Sequence, residues 1–538
     1  MANAHRKIRE SIRAARLNKR LRPARSLTVA ALFVLSTFSS VFAGAIDIDH
    51  PPQGRFNDDW AEIHLGGSKS GYAHSTMARQ GDRIQTQMTM KLRVGRTGQF
   101  VELSVVQDTE ETVRGEPLSF RTVMDMATAK MTTEGTIREG KVEVRTSQFG
   151  MEQKQTYDFP TGALMTWGMF RESVKRGFKP GTAYTLSTYA ADLRLDGAIT
   201  VKTVVGDWES FPHRGRTMRG QRVTATMEAP NGSIEMITWV DEDGEAVKAK
   251  VPIAGLADLE IITTDQATAV SDFVPPEIFM TTVIPVKRSL DREAVRRIRY
   301  RLTPKGEGES AKLELPTTGM QRTLRRDGHA IELEVTRQRH VAAPDAKGTN
   351  RNQPDLDEFL QPNLIINSAD PKLMEIARDA AGSEKEPFAL GDRLRRFVTD
   401  FVTGKNMNVG FATASEVARV KEGDCNEHAV LLAALGRING LPSRVVVGLA
   451  YAPFFGGKDD IFGYHMWTQF FIAGEWYDFD AALRETEVSP ARIVFATSSL
   501  KNAGLADLSF ALLSSIGSLD LVILEAETGK NAASTPEK

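Results

Sequence analysis

The sequence predicts a multidomain protein in which a large antiparallel β region precedes an α+β domain. Its 538 residues are too many for one core, since a domain usually holds about 100–200 residues. Alternating apolar and polar residues dominate the first half, and helical spacing appears only after about residue 356. A content of 41% hydrophobic and 25% charged residues is typical of a folded chain, neither disordered nor polytopic in the membrane.

Residues 1–43 have the pattern of an export signal. Nine Lys and Arg residues lie within residues 1–25 against Glu10 alone, and no charge occurs from Ser26 to Ile46. An apolar stretch and the small-residue end Val41-Phe42-Ala43 complete the pattern of a secretory signal peptide. If the segment stays uncleaved, its 21 uncharged residues could just span a bilayer as an anchor. We therefore expect a periplasmic or otherwise extracytoplasmic protein, with membrane attachment by this segment left open.

Charge and cysteine content exclude several classes of function. The 68 basic and 69 acidic residues nearly balance, whereas proteins that bind nucleic acid carry a basic surplus. The lone cysteine, Cys425, excludes an intrachain disulfide and a thiolate metal cluster. No second His or Cys lies at zinc spacing and no EF-hand-like loop occurs, so we predict neither a metal nor another cofactor. A free thiol in an oxidising compartment must be buried inertly or used.

Residues 44–275 are predicted to form an antiparallel β-sheet domain. From Ile84 to Val94 apolar and polar residues alternate strictly, as in a sheet with one wet face. Pro230-Asn231-Gly232 and Asp243-Gly244 separate further alternating runs and predict hairpins. We therefore expect a meander of many strands that forms a curved sheet or half-barrel.

A small β domain is predicted at residues 276–345, after the break at Val274-Pro275-Pro276. Its strands are expected near Val295–Leu302, Ala311–Leu315 and Ala330–Val335. An arginine-rich patch in this domain either binds anions or forms a solvated strand face, and we expect the solvated face. The members of the patch are Arg292, Arg296, Arg297, Arg299 and Arg301.

The third domain is predicted at residues 356–500, followed by a C-terminal extension and tail at 501–538. Lys372–Ala381 and Pro387–Val402 have helical spacing, which is why the domain is expected to mix helices with strands. The polar end Glu525–Lys538 is expected to be a frayed tail.

The lone thiol is predicted to lie on the first turn of a buried helix. Asp424 followed by Glu427 is a capping-box variant, so the helix is expected to begin at Cys425. Seven consecutive apolar residues, Ala429–Leu435, predict a helix that is apolar all round and therefore buried. The unpaired N–H groups and the positive dipole end of a helix start favour thiolate over thiol. Cys425 is therefore a candidate nucleophile.

A candidate base and its partner follow on a predicted hairpin. Tyr464–Ile472 is expected to be a strand, and a tight turn leads from it into the strand Trp476–Asp480. His465 on the first strand and an aspartate on the second form a frame for a base that is held by a carboxylate. Asp478 and Asp480 lie on the same strand face, so residue parity does not choose between them.

Residues around this hairpin carry weaker signals. The segment Ala452–Gly463 contains glycines and is expected to be a mobile loop at the rim of a cleft. His428, one turn beyond Cys425, is expected to be structural. Arg444 could serve a structural ion pair or bind a substrate carboxylate.

Four motifs in this order resemble the transglutaminase-like superfamily. They are Gly423-Asp424-Cys425, Gly440-Leu441-Pro442-Ser443-Arg444, His465-Met466-Trp467 and Trp476-x-x-x-Asp480. The resemblance, which is to exported bacterial members, covers about residues 360–485, roughly a quarter of the chain. It implies a papain-like fold and a Cys-His-Asp triad in which Cys425 is the nucleophile, His465 the base and Asp480 the orienting acid.

The resemblance implies an exported thiol-dependent enzyme that cleaves protein or peptide amides through a thioester. Water as the acceptor would make it a peptidase, amidase or deamidase, whereas a lysine amine would make it a transglutaminase, with the same triad. The alternative is a non-catalytic envelope protein whose β domain binds a peptide, a lipid or a partner protein. The sequence leaves the oligomeric state open.

Overall fold

The structure is a computed structural model of the chain. It describes residues 46–96, 99–125, 130–148, 151–191, 194–229, 232–253, 257–277, 282–305, 315–339, 356–404, 412–501 and 519–529. The predicted signal segment 1–43 lies outside these residues, as does most of the predicted strand Ala311–Leu315. No helix within the described ranges combines the length and the hydropathy that a membrane crossing requires.

Within the described residues, fourteen strands form one antiparallel sheet, and this confirms the predicted β meander. The strands are β1 (Gly54–Leu65), β2 (Ser68–Gln80), β3 (Arg83–Arg96), β4 (Gln99–Thr112), β5 (Pro117–Asp125), β6 (Lys130–Arg138), β7 (Lys141–Gln148), β8 (Met151–Asp158), β9 (Ala183–Thr188), β10 (Ile199–His213), β11 (Arg216–Ala229), β12 (Gly232–Val240), β13 (Ala246–Ile253) and β14 (Ala257–Thr264). Strands β1 and β14, the first and last strands of this sheet along the sequence, pair with each other in the middle of the sheet. This pairing joins both halves of the meander into one sheet.

A helix, α1 (Thr166–Arg176), packs on this sheet with Trp167 and Phe170 buried. Its N-cap residue Met165 makes no side-chain cap hydrogen bond. The carboxylate of Glu111 on β4 caps the helix instead, accepting hydrogen bonds from the backbone N–H of Trp167 at 2.6 Å and of Gly168 at 2.8 Å. Burial raises the pKa of Glu111 to about 7. Its two hydrogen bonds to the first turn of α1 connect the helix to the sheet. A short helix, α2 (Gln266–Ala269), follows β14.

The described part of the third region mixes helices and strands, as predicted. Its helices are α3 (Pro371–Ala381), α4 (Pro387–Phe401), α5 (Ala414–Val420) and α6 (Cys425–Ile438), after a 3₁₀ turn at Asp357–Phe359. Its strands are β19 (Ser443–Phe455), β20 (Lys458–Ile472), β21 (Glu475–Asp480), β22 (Glu485–Thr486) and β23 (Arg492–Ser498). They pair in the order β22-β21-β20-β19-β23, and β15 (Ile284–Pro285) adds to β20.

The expectation that Ala452–Gly463 forms a loop is wrong. Strands β19 and β20 pair without interruption until Phe455 lies opposite Lys458. Only Gly456 and Gly457 form the turn, with φ of 58° and 81°, values that suit a two-residue hairpin turn. The glycines therefore mark the tip of a long hairpin, because a tight turn needs them as much as a mobile loop does.

The small β region forms a third sheet together with a strand from the C-terminal part of the sequence. In the described residues its strands are β16 (Val295–Pro304), β17 (Gln321–Asp327), β18 (Ala330–Thr336) and β24 (Leu519–Thr528), in the order β17-β18-β16-β24. The expected frayed tail is therefore wrong for Glu525–Thr528, which pairs with β16. Glu525 and Glu527 also form ion pairs with Arg299 and Arg297 on the neighbouring strand, which add to this strand pairing.

The arginine-rich patch is largely matched by glutamates. Arg301 pairs with Glu332 at 2.7 Å, and Arg297 pairs with Glu334 at 3.0 Å. The side chain of Arg297 stays 33% exposed, so these pairs lie on a partly solvated face. The arrangement favours the expected solvated strand face over an anion site, because glutamates already form ion pairs with these arginines.

The small sheet and the strands of the third region share one hydrophobic core. Tyr300 and Leu302 on β16 are fully buried together with Leu449 of β19 and Phe462 of β20. The hydroxyl of Tyr300 donates a hydrogen bond to the carbonyl of Pro490 at 2.8 Å. Because the core crosses the predicted boundary near residue 350, the two regions stabilise each other.

We expect a fragment of residues 282–529 to unfold cooperatively, and a fragment of residues 356–501 to lack a cooperative transition. The shorter fragment exposes the apolar side chains that β16 covers, such as Leu449 and Phe462. Thermal unfolding followed by near-UV circular dichroism makes the comparison. Equal midpoints for the two fragments would contradict the shared core.

Candidate active site

Helix α6 begins at Cys425, as the capping-box pattern predicts. The side chain of Asp424 accepts a hydrogen bond from the backbone N–H of Asn426 at 2.9 Å. The carboxylate of Glu427 reaches back to the backbone N–H of Asp424 at 2.8 Å. The two hydrogen bonds fix the first turn, and the partly buried thiol of Cys425 stands at its start.

Glu427 also ties this turn to the preceding segment, and Gly423 makes room for it. The second carboxylate oxygen of Glu427, which is fully buried, accepts a hydrogen bond from the backbone N–H of Ala412 at 3.0 Å. Burial and the neighbouring charge of Asp424 raise the pKa of Glu427 to about 8. Gly423 has φ +152°, and a Cβ there would lie 2.3 Å from the Cβ of Glu427. The Gly-Asp-Cys motif therefore has a packing reason as well as a chemical one.

The body of α6 is fastened to the strands that carry the other candidate residues. The hydroxyl of Thr468 on β20 donates a hydrogen bond to the carbonyl of Ala429 at 2.9 Å. Buried Arg437, near the end of α6, donates to the carbonyls of Ser443 at 3.0 Å and Ser499 at 2.9 Å. These contacts fix the position of the helix relative to the sheet.

His465 and Asp480 are in direct contact. Nε2 of His465 lies 2.8 Å from Oδ2 of Asp480, whose side chain is 1% exposed. Asp478, the other aspartate of β21, has different partners: its Oδ1 accepts from Nε1 of Trp467 at 2.5 Å and Nε2 of Gln469 at 2.9 Å. The geometry therefore chooses Asp480 as the partner of the imidazole, which residue parity could not do.

The charge state of Asp480 fixes the tautomer of the imidazole. Burial alone raises the pKa of Asp480, but the charge and hydrogen bond of His465 and the charge of Arg492 hold it well below its usual range. The carboxylate is therefore ionised at neutral pH and accepts hydrogen bonds only. Nε2 of His465 must then carry a proton, which leaves Nδ1 of the neutral ring with a lone pair.

Sequence reasoning missed Arg492, which contacts the same carboxylate. Its Nη1 donates a hydrogen bond to Oδ2 of Asp480 at 3.0 Å, and the guanidinium is 1% exposed. It also pairs with Glu485, which in turn accepts a hydrogen bond from Nε of Arg292 at 2.9 Å. One signal was available, because an arginine that directly begins an apolar run such as Ile493-Val494-Phe495 can indicate a buried ion pair.

His428 connects the first turn of α6 electrostatically with the His465–Asp480 pair. Its Nδ1 lies 2.6 Å from the carbonyl oxygen of Asp424. Burial lowers the pKa of His428, and the charges of Asp480 and His465 act on it in opposite directions. The pairing of Cys425 with His465 stays a prediction.

His465 lies where the packing of the long hairpin changes. On β20, Tyr464 packs against the core that includes the small sheet, and Met466 belongs to the core under the helices. On β19 the same change occurs between Leu449 and Val447. Because side chains alternate along a strand, the imidazole of His465 points to the opposite face, where it stacks on Trp467 and is 10% exposed.

Among the described residues, the side chain of Arg444 contacts a glutamine and a tryptophan. Its Nε donates a hydrogen bond to Oε1 of Gln469 at 2.8 Å, and its guanidinium lies 4.0 Å from the ring centroid of Trp476. Burial lowers the pKa of Arg444 to about 10. Arg444, Gln469 and Asp478 therefore form a buried chain of polar contacts beside the site.

Gly423→Ala should lower the free energy of unfolding more than Gly440→Ala does. The expected difference is about 1–3 kcal/mol, the typical cost of overpacking. Both glycines have positive φ, but a Cβ at Gly440 meets nothing within 4 Å, whereas one at Gly423 collides with Glu427. Urea unfolding measures both values. Equal losses would show that the contact with Glu427 does not require glycine.

Comparison with known proteins places this site in a family. Residues 375–481 match the model of the Transglutaminase-like superfamily, and this range contains Cys425, His465 and Asp480. The match confirms the resemblance that the four motifs indicate, and at the level of the family it supports a thiol-dependent enzyme. No curated protein matches the chain significantly.

Three solved structures are similar at low identity. A candidate cysteine protease from Cytophaga hutchinsonii is 15% identical with TM-score 0.26, and the match covers 45% of this chain and 90% of that one. A β-barrel-like protein of a domain of unknown function from Brucella abortus is 13% identical with TM-score 0.29, covering 40% and 96%. A candidate protease from Parabacteroides distasonis is 13% identical with TM-score 0.18, covering 75% and 68%.

TM-scores this low support no conclusion about the function of this chain, and the family match stands on its own. Through residues 375–481, the chain therefore carries a domain of the transglutaminase-like superfamily.

Proposed function

We propose that this protein is an exported thiol-dependent enzyme that acts on amide bonds of proteins or peptides. Cys425 is the nucleophile, His465 the base and Asp480 the residue that orients the base. The observation that carries the proposal is the buried contact of 2.8 Å between His465 and Asp480, inside the family-matched region that also places Cys425 on a helix N-terminus.

The position of the proton between Asp480 and His465 suits general-base catalysis. Asp480 is ionised and holds the proton on Nε2 of His465, so Nδ1 is the atom that accepts the thiol proton of Cys425. Asp480 then stabilises the imidazolium that forms. The positive end of α6 stabilises the thiolate, because Cys425 is the first residue of that helix.

The thiolate attacks the carbonyl carbon of an amide. A C–S bond forms, the C–N bond breaks, and the imidazolium of His465 gives its proton to the leaving amine or ammonia. The backbone N–H of Cys425 is our candidate donor to the oxyanion of the intermediate. The product is a thioester on Cys425, which an acceptor then resolves.

The acceptor defines the reaction. Attack by water on the thioester regenerates the thiol and releases a carboxylic acid, as in a peptidase, amidase or deamidase. Attack by a lysine amine instead forms a new amide bond, as in a transglutaminase. The proposed triad serves both acceptors, so one assay must follow ammonia release and amine incorporation together.

The site of action is also part of the proposal. The basic, apolar and small-residue regions within residues 1–43 support export out of the cytosol. Export is also compatible with the lone Cys425. A free thiol is a liability in an oxidising compartment, so a thiol that is present there is expected to have a use.

The non-catalytic alternative explains the site less well. A scaffold gains nothing from an ionised carboxylate such as Asp480 that is fully buried beside an imidazole, since removing charges from water is costly. The alternative predicts an unreactive Cys425, which separates the two hypotheses.

Cys425 should react with iodoacetamide near neutral pH much faster than a free cysteine does. His465→Ala should slow this labelling by at least about tenfold, because the thiolate loses its imidazolium partner. His428→Ala removes the other imidazole near the first turn of α6 and should have a much smaller effect. Mass spectrometry of the labelled protein measures the rates. Labelling no faster than a model thiol, and unchanged in His465→Ala, would support the scaffold hypothesis.

Asp480→Asn should reduce turnover by roughly 10²-fold, within the range that general acid–base catalysis contributes. Asp478→Asn is the matched control, because both aspartates are buried on the same strand yet only Asp480 contacts His465. The assay follows incorporation of a fluorescent amine into casein beside ammonia release, with Cys425→Ala as the inactive reference. Turnover that survives in Cys425→Ala, or equal losses in the two aspartate variants, would count against the proposed triad.

A further inference from the structure

The carboxylate of Asp480 is shared between the candidate base and a fixed cation. Its Oδ2 accepts hydrogen bonds from Nε2 of His465 at 2.8 Å and from Nη1 of Arg492 at 3.0 Å. Its Oδ1 accepts from the backbone N–H of Leu483 at 2.9 Å. The side chains of Asp480 and Arg492 are each 1% exposed, so solvent screens this ion pair little.

Arg492 is held in place by further contacts. Its Nε donates to the carbonyl of Ser489 at 3.1 Å, and its guanidinium carbon lies 5.0 Å from the ring centroid of Trp467. Its Nη2 pairs with Glu485. A guanidinium fastened at several points keeps its charge in a fixed position.

The ion pairs continue into the small β region. Glu485 accepts a hydrogen bond at 2.9 Å from Nε of Arg292, three residues before β16. Charges therefore alternate from Asp480 through Arg492 and Glu485 to Arg292. Of these residues only Asp480 lies within the family-matched region 375–481, and Arg292 belongs to the small β region.

Arg492 is placed to moderate the effect of Asp480 on the imidazole. A lone carboxylate beside His465 stabilises the imidazolium strongly, and an imidazolium that is too stable gives up its proton slowly. The guanidinium on the same oxygen offsets part of that negative charge. Among the described residues, the other charged or titratable groups that interact with the pair or with Arg492 are His428 from α6, Asp478 from β21, Glu485 from β22, Tyr300 from β16 and Arg337 after β18.

We propose that Arg492 is a positioning residue that orients Asp480 and limits how strongly this carboxylate stabilises the imidazolium of His465. Arg292 supports the arrangement from the small β region by neutralising Glu485. The inference rests on the proposed function, because it assigns Arg492 a part in the same site.

The test follows the rate of iodoacetamide labelling of Cys425 against pH in the full-length protein. The imidazole step is the part of this profile that disappears in His465→Ala. In the double variant Arg492→Met, Glu485→Gln this step should move to higher pH by about one unit, the lower end of the range for one nearby charge. The double variant removes Arg492 together with its partner Glu485, so that the net charge of the site does not change.

Two further variants isolate the role of the charge. Arg492→Lys keeps the positive charge and should leave the imidazole step close to its wild-type pH. Arg297→Met removes an arginine of the small sheet whose ion pairs are partly exposed, and it should leave the step unchanged. Circular dichroism verifies that each variant is folded.

The outcomes separate this inference from the proposed function. An imidazole step at the same pH in wild type and in the double variant would overturn the role of Arg492 alone. A profile that His465→Ala does not change would instead overturn the proposed function, since Cys425 and His465 would then not interact.

Discussion

The buried carboxylate of Asp480 is the interaction on which the rest of the site depends. It is ionised because His465 and Arg492 donate to it, and being ionised it fixes which nitrogen of His465 carries the proton. That assignment leaves Nδ1 of the imidazole without the proton, as the proposed general base requires. A neutral or displaced carboxylate would leave the ring free to turn and to change tautomer, and the chemistry proposed for Cys425 would lose its base.

Two separately packed layers hold this carboxylate and its base. Helices α3 to α6 cover one part of the β19–β20 hairpin, and the small sheet covers the other part, with His465 at the change between them. The ion pair of Glu485 with Arg292 crosses from the strands to the chain before the small sheet. The small β region is therefore part of the support of the site, although it lies outside residues 375–481.

Patterns within a few neighbouring residues predicted most of the candidate site. Contacts between residues that are far apart in the sequence were not predicted. The capping box at Asp424 and the start of α6 are set within four residues, and they were predicted correctly. The choice of Asp480 over Asp478 depends on which side chain meets His465 across the sheet, which residue parity cannot give. Arg492 was missed because its partners lie on other strands. The order of Glu525–Thr528 was missed for the same reason, since it comes from pairing with β16.

The central claim is that Nδ1 of His465 faces the sulfur of Cys425. A crystal structure of the full-length wild-type protein, kept reduced, tests it most directly through the distance between these two atoms. We predict a separation of about 4 Å, or a single bridging water between the atoms, with Asp480 still bound to Nε2. A sulfur that points away from the ring, with protein side chains filling the space between them, would contradict the account.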